Sequence, residues 1–393
     1  MLIETTAGDL RLALNLVKPV IHPRNTLPIL SAVLLKDGAV WATDLDLEIK
    51  LKFAAKTFKG AAAIPFRQLF GLLSGLPHDM DIRIQSVGQA TEGVYVFFRG
   101  GRYKLTSLPV EDFPEWVSLS DLKPMNTTKG FRTAVQAVEV AVSTEETRYY
   151  LNGVCFSKNQ AGEGVLVATD GHRMVAHHYD HGQDGNLILP RLALPALALL
   201  PEPSAISANG SRMTFQYPGG EFRSKLIEGT FPDWHRVVPS PDEDTPSLSF
   251  APMEMMSVLN RVGKISGRLF HSRCVDLSAP ANGEMVVVAA RGMDQEECSE
   301  RLDSGSARNW AGPKDHRAFN VSYLKELCAL HRHSERVAIV ATSSKDPAII
   351  TSEDKRLLCI LMPMRSGNED LMSASIRAFT QPDNDSSEAV RAA

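Results

Sequence analysis

The chain is poor in the residues that build disulfide frameworks and metal clusters. Its 393 residues hold five cysteines (Cys155, Cys274, Cys298, Cys328, Cys359), odd in number and never at a C-x-x-C spacing. That excludes a disulfide scaffold and disfavours structural zinc, and it suits reduced, mostly buried thiols in a cytoplasmic protein. No apolar run approaches the ~18 residues of a membrane span. Glu4 and Asp9 interrupt the first apolar stretch, so no secretory leader reads there. The chain also lacks a G-x-x-x-x-G-K-[ST] phosphate loop, a G-x-G-x-x-G turn and a G-x-S-x-G elbow, which leaves ATP, dinucleotide and serine-hydrolase chemistry without support. Positive charge is not in excess: 42 Lys and Arg stand against 46 Asp and Glu, for a net charge of −4. A uniformly basic coat is therefore excluded, whereas a local basic surface is not.

What is present is a packed-core composition, 44% hydrophobic and 22% charged, in a chain long enough for two or three domains. Four kinds of segment recur in one order. First comes a helix with an apolar stripe at i, i+3, i+4, i+7: Leu10, Ala13, Leu14, Val17, then Phe131, Ala134, Val135, Val138, then Met255, Val258, Leu259, Val262. Thr6 and Asp9 stand in capping relation before the first of them. Next is a strand region, "WATDLDLEIKLKF" near 41, "LVATDGHRMV" near 166 and "VVVAARGMD" near 286. Leu45, Leu47, Ile49, Leu51 and Phe53 alternate there with charged residues, the period of a half-wet antiparallel strand. A second helix follows at 64, 189 and 319, and a closing segment completes each copy: "YKLTSLPVEDFPEW", "FRSKLIEGTFPDWHRVVP" and "RLLCILMPMR".

The landmarks repeat at domain rather than solenoid spacing, with turn-rich stretches at 118–124 and 239–247 as expected linkers. The expected architecture is α+β, three similar domains over 1–122, 125–244 and 245–365, each with two helices on antiparallel sheets. A polar extension, 366–393, is expected to be flexible.

The stripe beside the apolar one is basic. It carries Arg11 and Lys18 in the first helix, Lys129 and Arg132 in the second copy, and Arg261 and Lys264 in the third. The second helices add Arg67, Lys325 and Arg332. These are nine cations against one carboxylate, Glu139, in an acidic protein. Segregation of that kind suits a polyanion bound without base readout, since phosphate contacts carry no sequence information. Catalytic readings find little. Asp170 and His172 lack a nucleophile elbow, and neither His331 with His333 nor His177 with His178 has a further ligand at metal spacing. No cofactor or metal is implied.

Eight segments, "RNTLPIL", "ATDLDLEI", "LTSLPVEDFPEW", "RYYLNG", "VATDGHRMV", "SKLIEGTFPDWHRVVP", "FNVSYL" and "MPMR", stand in order from residue 24 to residue 365. In them the chain resembles the bacterial sliding clamp family, the beta subunit of DNA polymerase III. The resemblance implies a non-catalytic subunit with three domains per chain, forming half of a ring that two chains close head to tail around duplex DNA. The implied partners are DNA of any sequence, a second copy of the chain, the polymerase catalytic subunit, the clamp loader and other proteins carrying clamp-binding motifs, with no membrane.

It also implies a partner-peptide pocket at Leu151, Thr169, Gly171, His172, Arg173, Met174, Pro232, Arg236, Val237, Asn320, Tyr323, Ile360, Met362, Pro363, Met364 and Arg365. Arg24, Tyr149, Tyr150 and Arg191 join the basic stripe as DNA-facing positions. The chain departs from the family at Glu145, Ser74 and Leu192, where polar or basic residues are usual. It departs again at Gly263 and Lys264, near where apolar residues close the dimer, and in the 28 residues after Arg365, which point to modulation of the neighbouring pocket. These departures keep open a second reading, a divergent clamp-fold protein that serves mainly as a binding partner of repair polymerases or the loader.

Overall fold

Thr6 ends one element and starts the next. It closes strand β1 (Leu2–Thr6) and caps helix α1 (Ala7–Val17). Its hydroxyl accepts the Asp9 amide at 3.1 Å and donates to the Asp9 carboxylate at 2.7 Å, a cap worth about 1 kcal/mol. Leu10, Ala13, Leu14 and Val17 are buried, as their spacing predicts. The first copy continues through β2 (Ala32–Lys36), β3 (Ala39–Thr43), β4 (Leu47–Lys52), β5 (Thr57–Lys59), β6 (Ala62–Pro65), α2 (Phe66–Ser74), β7 (Asp81–Ser86), β8 (Val94–Phe98) and β9 (Gly101–Leu105).

A similar order returns as β10 (Lys123–Pro124), α3 (Phe131–Glu139), β11 (Gly153–Lys158), β12 (Gly164–Thr169), β13 (Arg173–His178), β14 (Leu187–Pro190), α4 (Leu194–Leu199), β15 (Ala205–Ala208), β16 (Arg212–Tyr217) and β17 (Gly220–Lys225). The third passage is β18 (Ser247–Phe250), α5 (Pro252–Ile265), β19 (Cys274–Ser278), β20 (Val286–Arg291), β21 (Glu297–Leu302), β22 (Ser306–Arg308), β23 (Arg317–Asn320), α6 (Val321–Leu330), β24 (Val337–Val340), β25 (Ala348–Thr351) and β26 (Leu357–Leu361), followed by α7 (Glu369–Thr380). This computed structural model describes residues 1–22, 26–86, 93–183, 185–265, 273–292 and 296–381.

The chain divides into two compact units. The first comprises Met1–Glu139, Glu146–Leu166 and Tyr179–Phe231. It contains two antiparallel sheets in the orders β5-β1-β7-β8-β9 and β10-β15-β16-β17-β4-β3-β2-β6, together with α1 to α4. In β4, Leu47, Ile49 and Leu51 are buried while Glu48 and Lys50 are partly exposed, the alternation of a sheet wet on one face. The second unit comprises Val140–Glu145, Val167–His178 and the chain from Pro232 onward. Its strands run β13-β26-β25-β24-β18-β22 and β21-β20-β19-β23, with α5, α6 and α7. A Cβ on Gly263 of α5 would meet Val321 Cγ1 of α6 at 2.9 Å, so a glycine there permits the close approach of the two helices.

Two expectations are corrected. Residues 118–124 are not wholly linker, because Lys123 and Pro124 form β10 and pair with Ala208 and Ser207 of β15. The extension is not a flexible tail over its first part. Leu371 and Met372 of α7 are buried against Val287 and Ala289 of β20, with Met285, Ile376 and Phe379 packed around them. Each side chain so buried contributes about 1.5–3 kcal/mol, enough to hold a short helix on a sheet. Asp370 anchors its start to Arg291 at 2.7 Å. Residues 382–393 lie outside the described residues. No described helix is long and apolar enough to cross a membrane.

Candidate functional site

In the second unit a tight turn precedes β13. Thr169 Oγ1 donates to Arg173 O at 2.7 Å, and Asp170 Oδ1 accepts the amides of His172 at 2.9 Å and Arg173 at 3.0 Å. Gly171 supplies the positive φ of 88° that this turn requires. Strand β13 then pairs with β26, setting Arg173 opposite Leu361 and Met174 opposite Ile360. Met362 N donates to His172 O at 2.8 Å, and Met364 N donates to Ala318 O at 2.7 Å. The backbone alone thus brings 169–174 beside 360–364.

Side chains complete the wall. Asn320 caps α6, its Oδ1 accepting the amides of Ser322 at 2.9 Å and Tyr323 at 3.2 Å. That cap directs Tyr323, whose ring lies 4.2 Å from the Arg173 guanidinium and 6.4 Å, nearly parallel, from His172. Arg173 also pairs with Asp170 at 3.2 Å and with Glu326. Two carboxylates and one aromatic face hold this guanidinium in a single pose, the ring alone contributing about 1 kcal/mol. Met174 and Ile360 form a buried floor, whereas Met362 is 38% exposed. An exposed methionine beside an aromatic and an aliphatic floor can repack around short apolar anchors.

The remaining pocket positions are placed differently. Pro232, Arg236 and Val237 are exposed, the last two on a 3-10 turn, Trp234–Val237, of the same unit. Leu151 is buried in a 3-10 turn of the first unit, Tyr149–Leu151. Pro363, Met364 and Arg365 line a cleft of about 610 Å³ together with Lys314, His316, Ala318, Ser344, Lys345 and Ser366. Sequence reading missed the cations of that cleft and the role of Asp170 and Glu326 in fixing Arg173. Glu326 follows Tyr323 by three residues on one helix, a spacing that placed both on one face.

The basic positions are of several kinds. Arg11 Nη1 donates to the carbonyls of Leu73 at 3.3 Å and Leu76 at 3.2 Å, and Arg132 Nη2 donates to Ala198 O at 2.9 Å. Each of these two arginines thereby satisfies carbonyls at the end of the second helix in its own copy, where the helix dipole favours a cation. Arg261 is not a free cation, because its Nε contacts both Glu300 oxygens of β21 at 2.9 and 3.0 Å. Lys18, Arg67, Lys129, Arg191, Lys264 and Arg332 are exposed, and Lys325 is half-buried. Tyr149 is exposed and meets Tyr150 edge to face at 5.8 Å. Arg24 lies outside the described residues.

Two family descriptions match the chain: "DNA polymerase III beta subunit, N-terminal domain" over residues 3–117 and "DNA polymerase III beta subunit, central domain" over 126–233. The beta sliding clamp of Caulobacter vibrioides is 29% identical over 371 residues, covering 90% of this chain and 96% of the relative. That of Escherichia coli K12 is 29% identical over 362 residues, covering 87% and 93%. A crystal structure of a Bartonella birtlesii sliding clamp bound to griselimycin superposes with a TM-score of 0.81 at 27% identity, covering 93% of this chain and all of that one. With the antiparallel sheets, the paired helices and these matches, the chain belongs to the beta sliding clamp family, the non-catalytic beta subunits of DNA polymerase III.

Proposed function

We propose that the chain is a polymerase processivity factor. Two copies, each of three domains at 1–122, 125–244 and 245–365, join head to tail as a ring on duplex DNA. The ring slides without reading sequence and holds a polymerase, the clamp loader and similar partners through peptides seated against His172, Arg173, Tyr323 and Met362. Enclosure replaces tight contact, so the exposed lysines and arginines of the helices need only hold phosphates loosely. Tethering then makes each polymerase rebinding intramolecular, at an effective concentration on the order of millimolar.

One repeated joint carries this reading. β17 pairs with β4 from Gly220↔Leu51 to Ser224↔Leu47, and β26 pairs with β13 from Leu357↔His177 to Leu361↔Arg173. In each case the closing strand of a later copy docks on the charged strand of the copy before it. Two strands have no such partner among the described residues: β9, the closing strand of the first copy, and β21, the charged strand of the third, are the outermost strands of their sheets. An open edge is a template for another strand, and a head-to-tail contact that closes makes a ring.

Carrying the internal register onto these edges sets Glu297 opposite Lys104 and Cys298 opposite Tyr103. The charges suit one another, since β9 carries Arg102 and Lys104 while β21 carries Glu297 and Glu300. The test is a Tyr103→Cys variant treated with a short bis-maleimide. Crosslinking to Cys298 of a second copy should double the 43.0 kDa chain mass in a denaturing gel. A sedimentation mass of one chain, with no crosslink, would instead leave a clamp-fold protein that binds partners without encircling DNA.

A further inference from the structure

The cleft beside the pocket gathers several cations, whereas the pocket's own Arg173 is held by Asp170 and Glu326. Its floor is Ala318 and Met364, tied by the 2.7 Å backbone bond. Its rim brings together Lys314 from the 3-10 turn Pro313–Asp315, Lys345 from the turn between β24 and β25, and Arg365 just after β26, all three exposed. The acids nearby are engaged elsewhere. Asp276, fully buried, accepts Ser366 Oγ and accepts Asn368 Nδ2 at 2.7 Å. Asp315 pairs with Arg317 at 3.3 Å, and Asp346 accepts Ser343 Oγ at 2.7 Å. His316 turns its Nδ1 to Pro313 O at 2.6 Å and its Nε2 to Ser366 Oγ at 3.1 Å, within 3.4 Å of Asp276. Three cations therefore face one cleft whose neighbouring carboxylates point into the protein or to other partners.

The first turn of the extension builds part of this cleft. Ser366 lines it, and the bonds from Ser366 and Asn368 to Asp276 fix the path of the chain just after Arg365. Pro363 and Met364 of the cleft follow Met362 of the apolar pocket directly along the chain, so a peptide running past Met362 in that direction meets the cationic space. A lining that is cationic at the rim and apolar at the floor fits a peptide carboxylate carried next to an apolar anchor.

We propose that this cleft seats the carboxylate of an acidic residue flanking the apolar anchors of the partner peptide, making Lys314 and Lys345 determinants of partner choice. The proposal rests on the pocket reading above and adds a specificity to it. It is tested by fluorescence anisotropy with two labelled peptides that share their apolar anchors and differ only in flanking Asp and Glu against Ser and Asn. At low salt the acidic peptide should bind about five- to tenfold tighter, the range of a few exposed charge pairs. K314E/K345E should erase or invert that preference and leave the neutral peptide's affinity unchanged. K314S/K345S should reduce the preference without inverting it, which keeps the test open if charge reversal disturbs folding. Equal binding of both peptides to the unaltered chain would overturn the cleft assignment and leave the pocket standing. Failure of both to bind would overturn the pocket reading and this proposal with it.

Discussion

At the end of β3, Thr43 Oγ1 donates to Leu47 O at 2.9 Å, and Asp44 Oδ1 accepts the amides of Asp46 and Leu47. At the end of β12, Thr169 and Asp170 make the same bonds to Arg173 and His172. The next step also matches: Asp46 O accepts Lys225 N at 2.8 Å in the first unit, and His172 O accepts Met362 N at 2.8 Å in the second. Asp46 thus stands where His172 stands, and Lys225 where Met362 stands. In the first unit the Lys225 ammonium closes on Asp46 at 2.6 Å. In the second, Met362 keeps an exposed apolar face and His172 lies over Tyr323. A single backbone frame has become an ion-paired seam in one place and an apolar pocket in the other. On the proposed reading, binding is a property of four or five side chains grafted on a repeated turn, not of the fold.

The comparison is broken most severely by transplanting the seam. H172D/M362K should recreate the Asp46–Lys225 pair in the second unit and weaken an apolar-anchored partner peptide by about 100-fold, roughly 2.7 kcal/mol. Equilibrium unfolding should stay near that of the unaltered chain. Unchanged peptide affinity would mean that Met362 does not line the binding surface.

The proposed joint between protomers should respond less. Lys104→Glu is expected to weaken self-association by roughly tenfold, measured by sedimentation across a dilution series, and Glu297→Lys in the same chain should restore it. Because Glu297 already pairs with Arg291 at 2.6 Å, Glu297→Lys alone also removes one of that guanidinium's two carboxylates. Restoration in the double variant is therefore the informative result, and additive weakening would place Lys104 elsewhere.

Acid should separate the two units. Burial lowers the pKa of His177 and His331 in the second unit and of His181 in the first. These imidazoles are neutral when folded but take up protons near the ordinary ~6.5 once unfolded. The unfolded state therefore binds more protons below that value. Stability should be flat above pH ~6.5 and fall as pH drops toward the lowered folded values, by at most about 1.4 kcal/mol per pH unit for each site. Hydrogen exchange followed from pH 7.5 to 5.5 should show the second unit, with its two such groups, losing protection faster. Equal loss in both would contradict the burial assigned to His177 and His331.

The smallest effect lies within the turns themselves. Leu45 sits at a φ of 81° and is 43% exposed, whereas its counterpart Gly171 adopts 88° without a Cβ. Leu45→Gly should relieve backbone strain and stabilise by about 0.5–1 kcal/mol, and Gly171→Leu should cost a similar amount or more. Thermal unfolding of the two variants should move in opposite directions.

Much of the fold was legible because its signals are local. The α1 stripe, the Thr6 cap and the alternation of β4 each occupy fewer than a dozen consecutive residues, and the threefold order of elements followed from finding them again. The pocket residues came through resemblance to the sliding clamp family, and the structure draws the 169–174 and 360–365 groups together by backbone pairing alone. What stayed hidden depends on distant partners. The apolar residues of α7 are diluted by Ser, Ala and Arg, and the strand they cover lies some eighty residues earlier. Arg11 and Arg132 read as free cations because the carbonyls they satisfy belong to another helix. Lys314 and Lys345 acquire meaning only when two separate turns meet beside Met364.

The most direct measurement loads the protein onto nicked circular duplex DNA with a clamp loader and follows retention by gel filtration in moderate salt. An enclosing ring predicts that the protein stays with the circles and is lost within minutes once a restriction enzyme linearises them. Release from intact circles at the same rate as from linear DNA would contradict a closed head-to-tail ring.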